Sequence, residues 1–279
     1  MDGRVCMVTG ASSGIGKETA EKLAERGARV VMVCRNRDKG GEALADIKKR
    51  SRNDFVELLI ADFTSLASVR ELVKAFEGGH DALHVLVNNA GVAQVRRSVT
   101  GDGFETTFQV DFLSHFLLTN LLLDVLKKSS PSRIVNVSSV GHFGGHIDFD
   151  DLQTERGYGV MKAYSRAKLA QVLFTYELAR KLGGTGVTVN CLHPGAVATN
   201  IWGASLGPLS FVGKATKLFM MSPAKGAQTS VYLASSPEVD GVTGKYFDDK
   251  REEKSSAESY DEAVAKRLWE VSARMVGLG

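Results

Sequence analysis

Short apolar, β-branched runs alternate along this chain with longer segments whose apolar positions recur every three or four residues. Runs of the first kind predict strands at residues 4–8, 29–34, 55–60, 83–87, 133–137 and 187–192, with a short one at 244–247. Segments of the second kind predict helices at 17–26, 39–50, 68–76, 104–127, 163–182, 223–235 and 261–275. Strand and helix taken in turn give a parallel sheet with helices on both faces. Right-handed crossovers make such a sheet doubly wound and place ligands at the carboxyl ends of its strands. Neither a repeat nor a linker interrupts the alternation. The expected fold is therefore α/β, one Rossmann-like domain over residues 1–279 with about seven parallel strands.

Between the first strand and the first helix lies Thr9-Gly10-Ala11-Ser12-Ser13-Gly14-Ile15-Gly16. Glycines let a backbone approach a phosphate, and the unpaired N–H groups of a helix's first turn point at it. This strand–turn–helix context marks the stretch as a nucleotide phosphate cradle. The second strand ends in Arg35-Asn36-Arg37 with no acid before Asp38. An acid there would pair with the ribose hydroxyls of NAD, whereas an arginine suits the 2′-phosphate of NADP. Asn88-Asn89-Ala90-Gly91 closes the fourth strand, where side-chain amides can tie strand ends together and Ala90 and Gly91 leave room for a flat ring. Ser139 ends the fifth strand, and Tyr164 and Lys168 stand four apart on one helical face. An unassisted phenol ionises near pH 10, so proton transfer at neutrality requires roughly 4 kcal/mol of phenolate stabilisation. A close ammonium in a dry site supplies it, and a serine hydroxyl can polarise the same substrate oxygen.

The Gly-x3-Gly-x-Gly spacing, the Asn-Asn-Ala-Gly turn, the strand-five serine, Tyr-x3-Lys and His193-Pro194-Gly195 together resemble the short-chain dehydrogenase/reductase family over nearly the whole chain. The resemblance implies NADP(H) held by Gly10, Ser12, Ser13, Gly14, Ile15, Gly16, Arg35 and Arg37, with Asp62 and the backbone at Phe63 meeting the adenine. It implies a nicotinamide bordered by Asn89, Ala90, Gly91, Pro194, Gly195, Val197 and Thr199. Tyr164 would be the acid/base, Lys168 its support and a ribose ligand, and Ser139 the holder of the carbonyl oxygen. Relatives carry an asparagine where this chain has Asp111, so the water-bearing backbone carbonyl survives and the amide donor is lost. A carboxylate buried there must find a donor, pair with a cation such as Lys168, or stay protonated. The long stretch between Ser139 and Tyr164, and the tail from Leu233 to Glu270, resemble the retinol-dehydrogenase-like branch. That implies an apolar alcohol interconverted with its aldehyde or ketone, retinoids first.

Beyond the sixth strand, Trp202, Leu206, Leu209, Phe211, Leu218 and Phe219 make an oily, glycine-broken stretch that reads as a substrate lid at about 200–225. Helices 104–127 and 163–182 are apolar around more than one face, which suggests a homodimer or homotetramer. A net charge of +3 with scattered basic residues gives no nucleic-acid footprint. The cysteines Cys6, Cys34 and Cys191 all fall in strands and form no disulfide framework, as in a reducing, cytoplasmic setting. The longest oily run, 116–126, is too short to span a bilayer. His142 and His146 lack a third partner at metal-ligand spacing, so no metal is expected. The competing reading is a nucleotide-sensing or scaffold protein that keeps the cradle without turnover. NADPH consumption with apolar aldehydes and ketones separates the two.

Overall fold

A computed structural model describes residues 1–195 and 221–278. The first apolar run forms β1 (Val5–Thr9), buried along its whole length because helices cover both faces of the sheet. Following it are β2 (Arg29–Cys34), β3 (Val56–Ile60), β4 (Val85–Asn88), β5 (Ser132–Val137), β6 (Val187–His193), β7 (Lys245–Asp248) and β8 (Arg251–Glu253). They stand in the order β3-β2-β1-β4-β5-β6-β7-β8. All neighbours are parallel except the last pair. The strand order reverses between β1 and β4, which opens a crevice at their carboxyl ends.

Strand β8 is an addition to the expected seven. It is three exposed charged residues paired antiparallel to β7. Asp249 and Lys250 make the hairpin turn with φ of 42° and 66°, without the glycine that usually announces such a turn.

Helices α1 (Gly14–Ala24), α2 (Arg37–Ser51) and α8 (Pro223–Ser235) belong to one face of the sheet, around Leu23, Ile47 and Leu233. On the other face are α3 (Leu66–Glu77), α7 (Val160–Lys181) and the segment expected as one helix over 104–127. That segment is broken. It runs as α4 (Thr106–Phe108), a π-helical turn at Gln109–Leu113, α5 (Ser114–Leu121) and α6 (Leu123–Lys128). A π turn takes in one extra residue, and here every side chain in it stays buried, so the hydrophobic period does not register it. Asp111 sits in that turn.

The surplus apolar surface that suggested a second subunit is covered from within the chain. Helix α9 (Glu262–Met275) crosses α7 and sets Trp269 against Phe116 and Phe174, with ring centroids 5.0 and 5.7 Å apart. Leu268 and Ala265 of α9 are buried in the same cluster. Among the described residues no helix is long and apolar enough to cross a membrane.

Candidate active site

The glycine turn is pinned to the end of β2, where Val33 O accepts the N–H groups of Gly10 (2.9 Å) and Ala11 (3.3 Å). Gly10 and Gly14 have φ of +69° and +59°. A Cβ on Gly10 would stand 2.9 Å from Ala90 Cα, and one on Gly16 would stand 2.4 Å from Asn89 Nδ2. Two of these glycines are thus required by the close approach of the turn to the end of β4, before any ligand is considered. Ser13 precedes α1 in extended conformation and its side chain makes no capping bond. The first-turn N–H groups of α1 therefore keep their capacity for an anion.

Thr9 joins the glycine turn to the turn after β4. Its hydroxyl accepts from Asn89 N (2.8 Å) and Ala90 N (3.0 Å), and Asn89 Nδ2 donates to Thr9 O (2.8 Å). Asn88 reaches inward, donating to Thr119 Oγ1 (2.9 Å) and Asn136 Oδ1 (2.8 Å). Arg35 is exposed at the end of β2, and Arg37 opens α2 just after the cap Asn36, which accepts from Lys39 N. Among the described residues neither arginine is in an ion pair. Asp62 folds its Oδ1 back on Thr64 N (2.9 Å) and Thr64 Oγ1 (2.8 Å), while Ser65 caps α3. Phe63 is buried, and its carbonyl accepts from Ser114 Oγ (2.7 Å).

The chemistry-bearing residues meet at the ends of β4 and β5. Ser139 leaves β5 extended, and its Oγ accepts from Gly141 N at 3.1 Å, so the hydroxyl hydrogen remains to be donated. A Cβ on Gly141 would lie 3.2 Å from Tyr164 Cε1 and 3.4 Å from Ser139 Oγ. The space beside this glycine is therefore bounded by both groups, and a side chain there would crowd them. Lys168 is buried, with Nζ 5.5 Å from the Tyr164 ring centroid. That ammonium donates to Val137 O (3.2 Å) and Gln171 Oε1 (3.1 Å) and lies 3.2 Å from Asp111 Oδ2.

Asp111 is wholly buried, and its Oδ1 accepts from Val92 N at 2.7 Å. Two of the three outcomes foreseen for it thus occur together: a donor is found and a cation paired. Burial pushes its carboxyl above the usual carboxylate range, against the pull of Lys168 and the Val92 N–H. For Lys168 burial works downward, but the charges of Asp111 and Tyr164 outweigh it and hold the ammonium up. The backbone carbonyl of Asp111 takes the Nδ1–H of His115 at 3.1 Å. Burial drives His115 down to about 3, so the ring is neutral. Its Nε2 then accepts from the Thr9 hydroxyl at 3.1 Å. His115 and Gln171 had no role in the sequence reading. Their only signal was spacing: four residues after Asp111 and three after Lys168, one helical turn away in each case.

His142 and His146 do not converge as ligands. His142 bonds Ser139 O and Ser256 N, and His146 reaches Glu258. Gly195 turns the chain after β6 and Pro194 with φ of +82°. Val197, Thr199 and most of the expected lid lie outside the described residues. Exposed apolar side chains surround the site in sequence: Val140 and Phe143 follow Ser139, Met161 precedes Tyr164 by one turn, and Val95 follows the turn after β4.

The short chain dehydrogenase family profile matches residues 4–206. Retinol dehydrogenase 14 of Homo sapiens is 47% identical over 294 aligned positions, spanning 100% of this chain and 88% of that protein. Retinol dehydrogenase 13 of Homo sapiens is 46% identical over 288 positions, spanning 99% and 85%. An uncharacterised protein from Mycobacterium Paratuberculosis has a solved structure with a TM-score of 0.81 at 33% identity, covering 99% of this chain and 94% of that one. The RhlG/NADP active-site complex of Pseudomonas aeruginosa has a TM-score of 0.71 at 26% identity, covering 88% and 94%.

Proposed function

This chain belongs to the short-chain dehydrogenase family, and on that premise we propose that it interconverts an apolar alcohol, retinoid first, with its aldehyde or ketone using NADP(H). The observation that carries the reading is the meeting of Ser139 and Tyr164 on Gly141, with the Lys168 ammonium beside the phenol ring.

In reduction, Tyr164 donates its phenolic proton to the oxygen that becomes an alkoxide, and Ser139 Oγ–H bonds the same oxygen. Lys168 stabilises the phenolate left behind; in oxidation that phenolate takes the alcohol proton. The bound nicotinamide supplies or accepts the hydride. The first turn of α1 and the glycine turn fit its pyrophosphate, and Asn89, Ala90, Gly91, Pro194 and Gly195 would border the nicotinamide ring. Asp62, whose Oδ1 is held by Thr64, would meet its adenine. Val197 and Thr199 keep the cofactor role that the resemblance implies. Apolar Val95, Val140, Phe143 and Met161 suit a substrate with a long hydrocarbon body and exclude water from the proton transfer. Retinoids come first because the full-length relatives are named retinol dehydrogenases. Those same names disfavour a non-catalytic sensor. Three buried, unpaired cysteines suit a cytoplasmic location.

NADP is preferred over NAD on the strength of Arg35 and Arg37. Arg35→Asp removes a charge-assisted contact worth about 1.5–3 kcal/mol and sets a carboxylate against the 2′-phosphate. The ratio of NADPH to NADH affinity then falls about tenfold, read by fluorescence titration of both cofactors. An unchanged ratio rejects the assignment. For the substrate, NADPH oxidation is followed across retinal, long-chain aldehydes, steroid ketones and short polar aldehydes. The expected order places retinal first and the polar aldehydes last; the reverse order rejects the apolar substrate class.

A further inference from the structure

The peptide linking Ser139 to Val140 is gripped at both ends by imidazoles. The Ser139 carbonyl accepts from His142 Nδ1 at 2.7 Å and from the His142 backbone N–H at 3.1 Å. On the same peptide plane, the Val140 N–H donates to His193 Nδ1 at 3.1 Å. His142 is wholly buried, packed at tilted angles against Phe143 and Tyr246 with centroids 4.2 and 4.8 Å away. Its Nε2 accepts the backbone N–H of Ser256 at 3.1 Å. Partners on both nitrogens set the tautomer: Nδ1 carries the hydrogen and Nε2 is bare. His193 comes from the end of β6, so the two rings approach the peptide from different elements.

We propose that His142 and His193 are positioning residues that set the Ser139 hydroxyl by clamping the Ser139–Val140 peptide. The inference rests on the role given to Ser139 above. Ser139 Oγ accepts from Gly141 N, two residues on, and that N–H points at Oγ only while the intervening peptide keeps its orientation. If the peptide rotates, Oγ loses its donor and its own hydrogen is no longer aimed at the substrate oxygen. A satisfied buried histidine with no bearing on catalysis would hold the same bonds, so the test has to read through Ser139.

The test compares Ser139→Ala, His142→Phe, His142→Asn, His193→Leu and the double variant of Ser139→Ala with His142→Phe. Phe keeps the packing on Tyr246 and removes both ring hydrogen bonds; Asn retains a donor toward the Ser139 carbonyl. Expected is a fall in kcat of about tenfold for His142→Phe and His193→Leu, with NADPH affinity and KM changed little and His142→Asn recovering most of the rate. In the Ser139→Ala background His142→Phe then has no further effect, since the clamp acts only through that hydroxyl. Several results overturn the clamp. One is a full wild-type kcat in both ring variants; another is the same tenfold loss repeated in the Ser139→Ala background. A third is loss of NADPH affinity together with rate, also in His142→Asn. A Ser139→Ala protein as fast as wild type overturns the role of Ser139 itself, and is told apart by needing no histidine variant.

Discussion

Tyr164→Phe loses carbonyl reduction by about 10²–10⁴-fold and binds NADPH nearly as the parent does. The substitution removes one oxygen from a side chain that is 9% exposed and leaves its ring against Gly141. Lys168→Ala behaves differently. The ammonium has Val137 O, Gln171 Oε1 and Asp111 around it, and its loss leaves a carboxylate buried without its cation. Breaking a buried pair on one side costs about 3–5 kcal/mol, so this variant loses stability as well as rate and cofactor affinity. Asp111→Asn in the same protein returns most of that stability by removing the stranded charge. Single-turnover NADPH oxidation, fluorescence titration of NADPH and urea denaturation separate the three effects. Substantial activity in Tyr164→Phe would place the proton donor elsewhere, and a Lys168→Ala protein of parental stability would mean Asp111 is neutral.

Asp111→Asn raises kcat/KM about tenfold, and more below neutrality than above it. In the parent, the carboxylate 3.2 Å from Lys168 Nζ cancels much of the positive field that favours a phenolate. A unit charge within about 10 Å at an effective dielectric near 20 is worth at least 1.7 kcal/mol, rather more than one pH unit. The sign follows from charge alone. With the anion gone the field at the phenol is more positive, the anionic base exists at lower pH, and the rising limb of alcohol oxidation moves to lower pH. Asn can still accept from Val92 N through its carbonyl, so the turn after β4 keeps its bond. Lys168 meanwhile loses one of the groups that hold it. The measurement is a pH–rate profile for both proteins on the best substrate. A slower Asp111→Asn enzyme would show that the carboxylate's grip places the lysine productively. A silent parent switched on by Asp111→Asn would favour the sensing role over turnover.

Much of this architecture could be read along the chain because it is local. Strand, glycine turn and helix follow one another within residues 5–24, and the hydrophobic period reports which side chains must be covered. Tyr164 and Lys168 are likewise one helical turn apart, so their common face follows from 3.6 residues per turn. The period could not report the π turn at Gln109–Leu113, since an extra residue in an all-buried segment changes no apolar position. Nor could it show β8, whose three residues carry charge and whose turn lacks glycine.

What the chain could say of Asp111 was that a buried carboxylate needs partners; which ones depended on elements far away in sequence. Lys168 reaches it from α7 and Val92 from the turn after β4, and only the packing of those elements brings them within 3.2 and 2.7 Å. The same holds for the apolar faces of α5 and α7. Periodicity shows that something must cover them, because exposed hydrocarbon is unfavourable in water. It is silent on whether the cover is a second subunit or, as here, Trp269 and Leu268 from the last helix of the same chain. Local sequence thus determined the elements, the glycine turn and the shared face of Tyr164 and Lys168. Long-range packing alone decided the counter-ion, the covering helix and the two histidines on the peptide after Ser139, because each joins side chains from elements that only the folded sheet and its helices hold together.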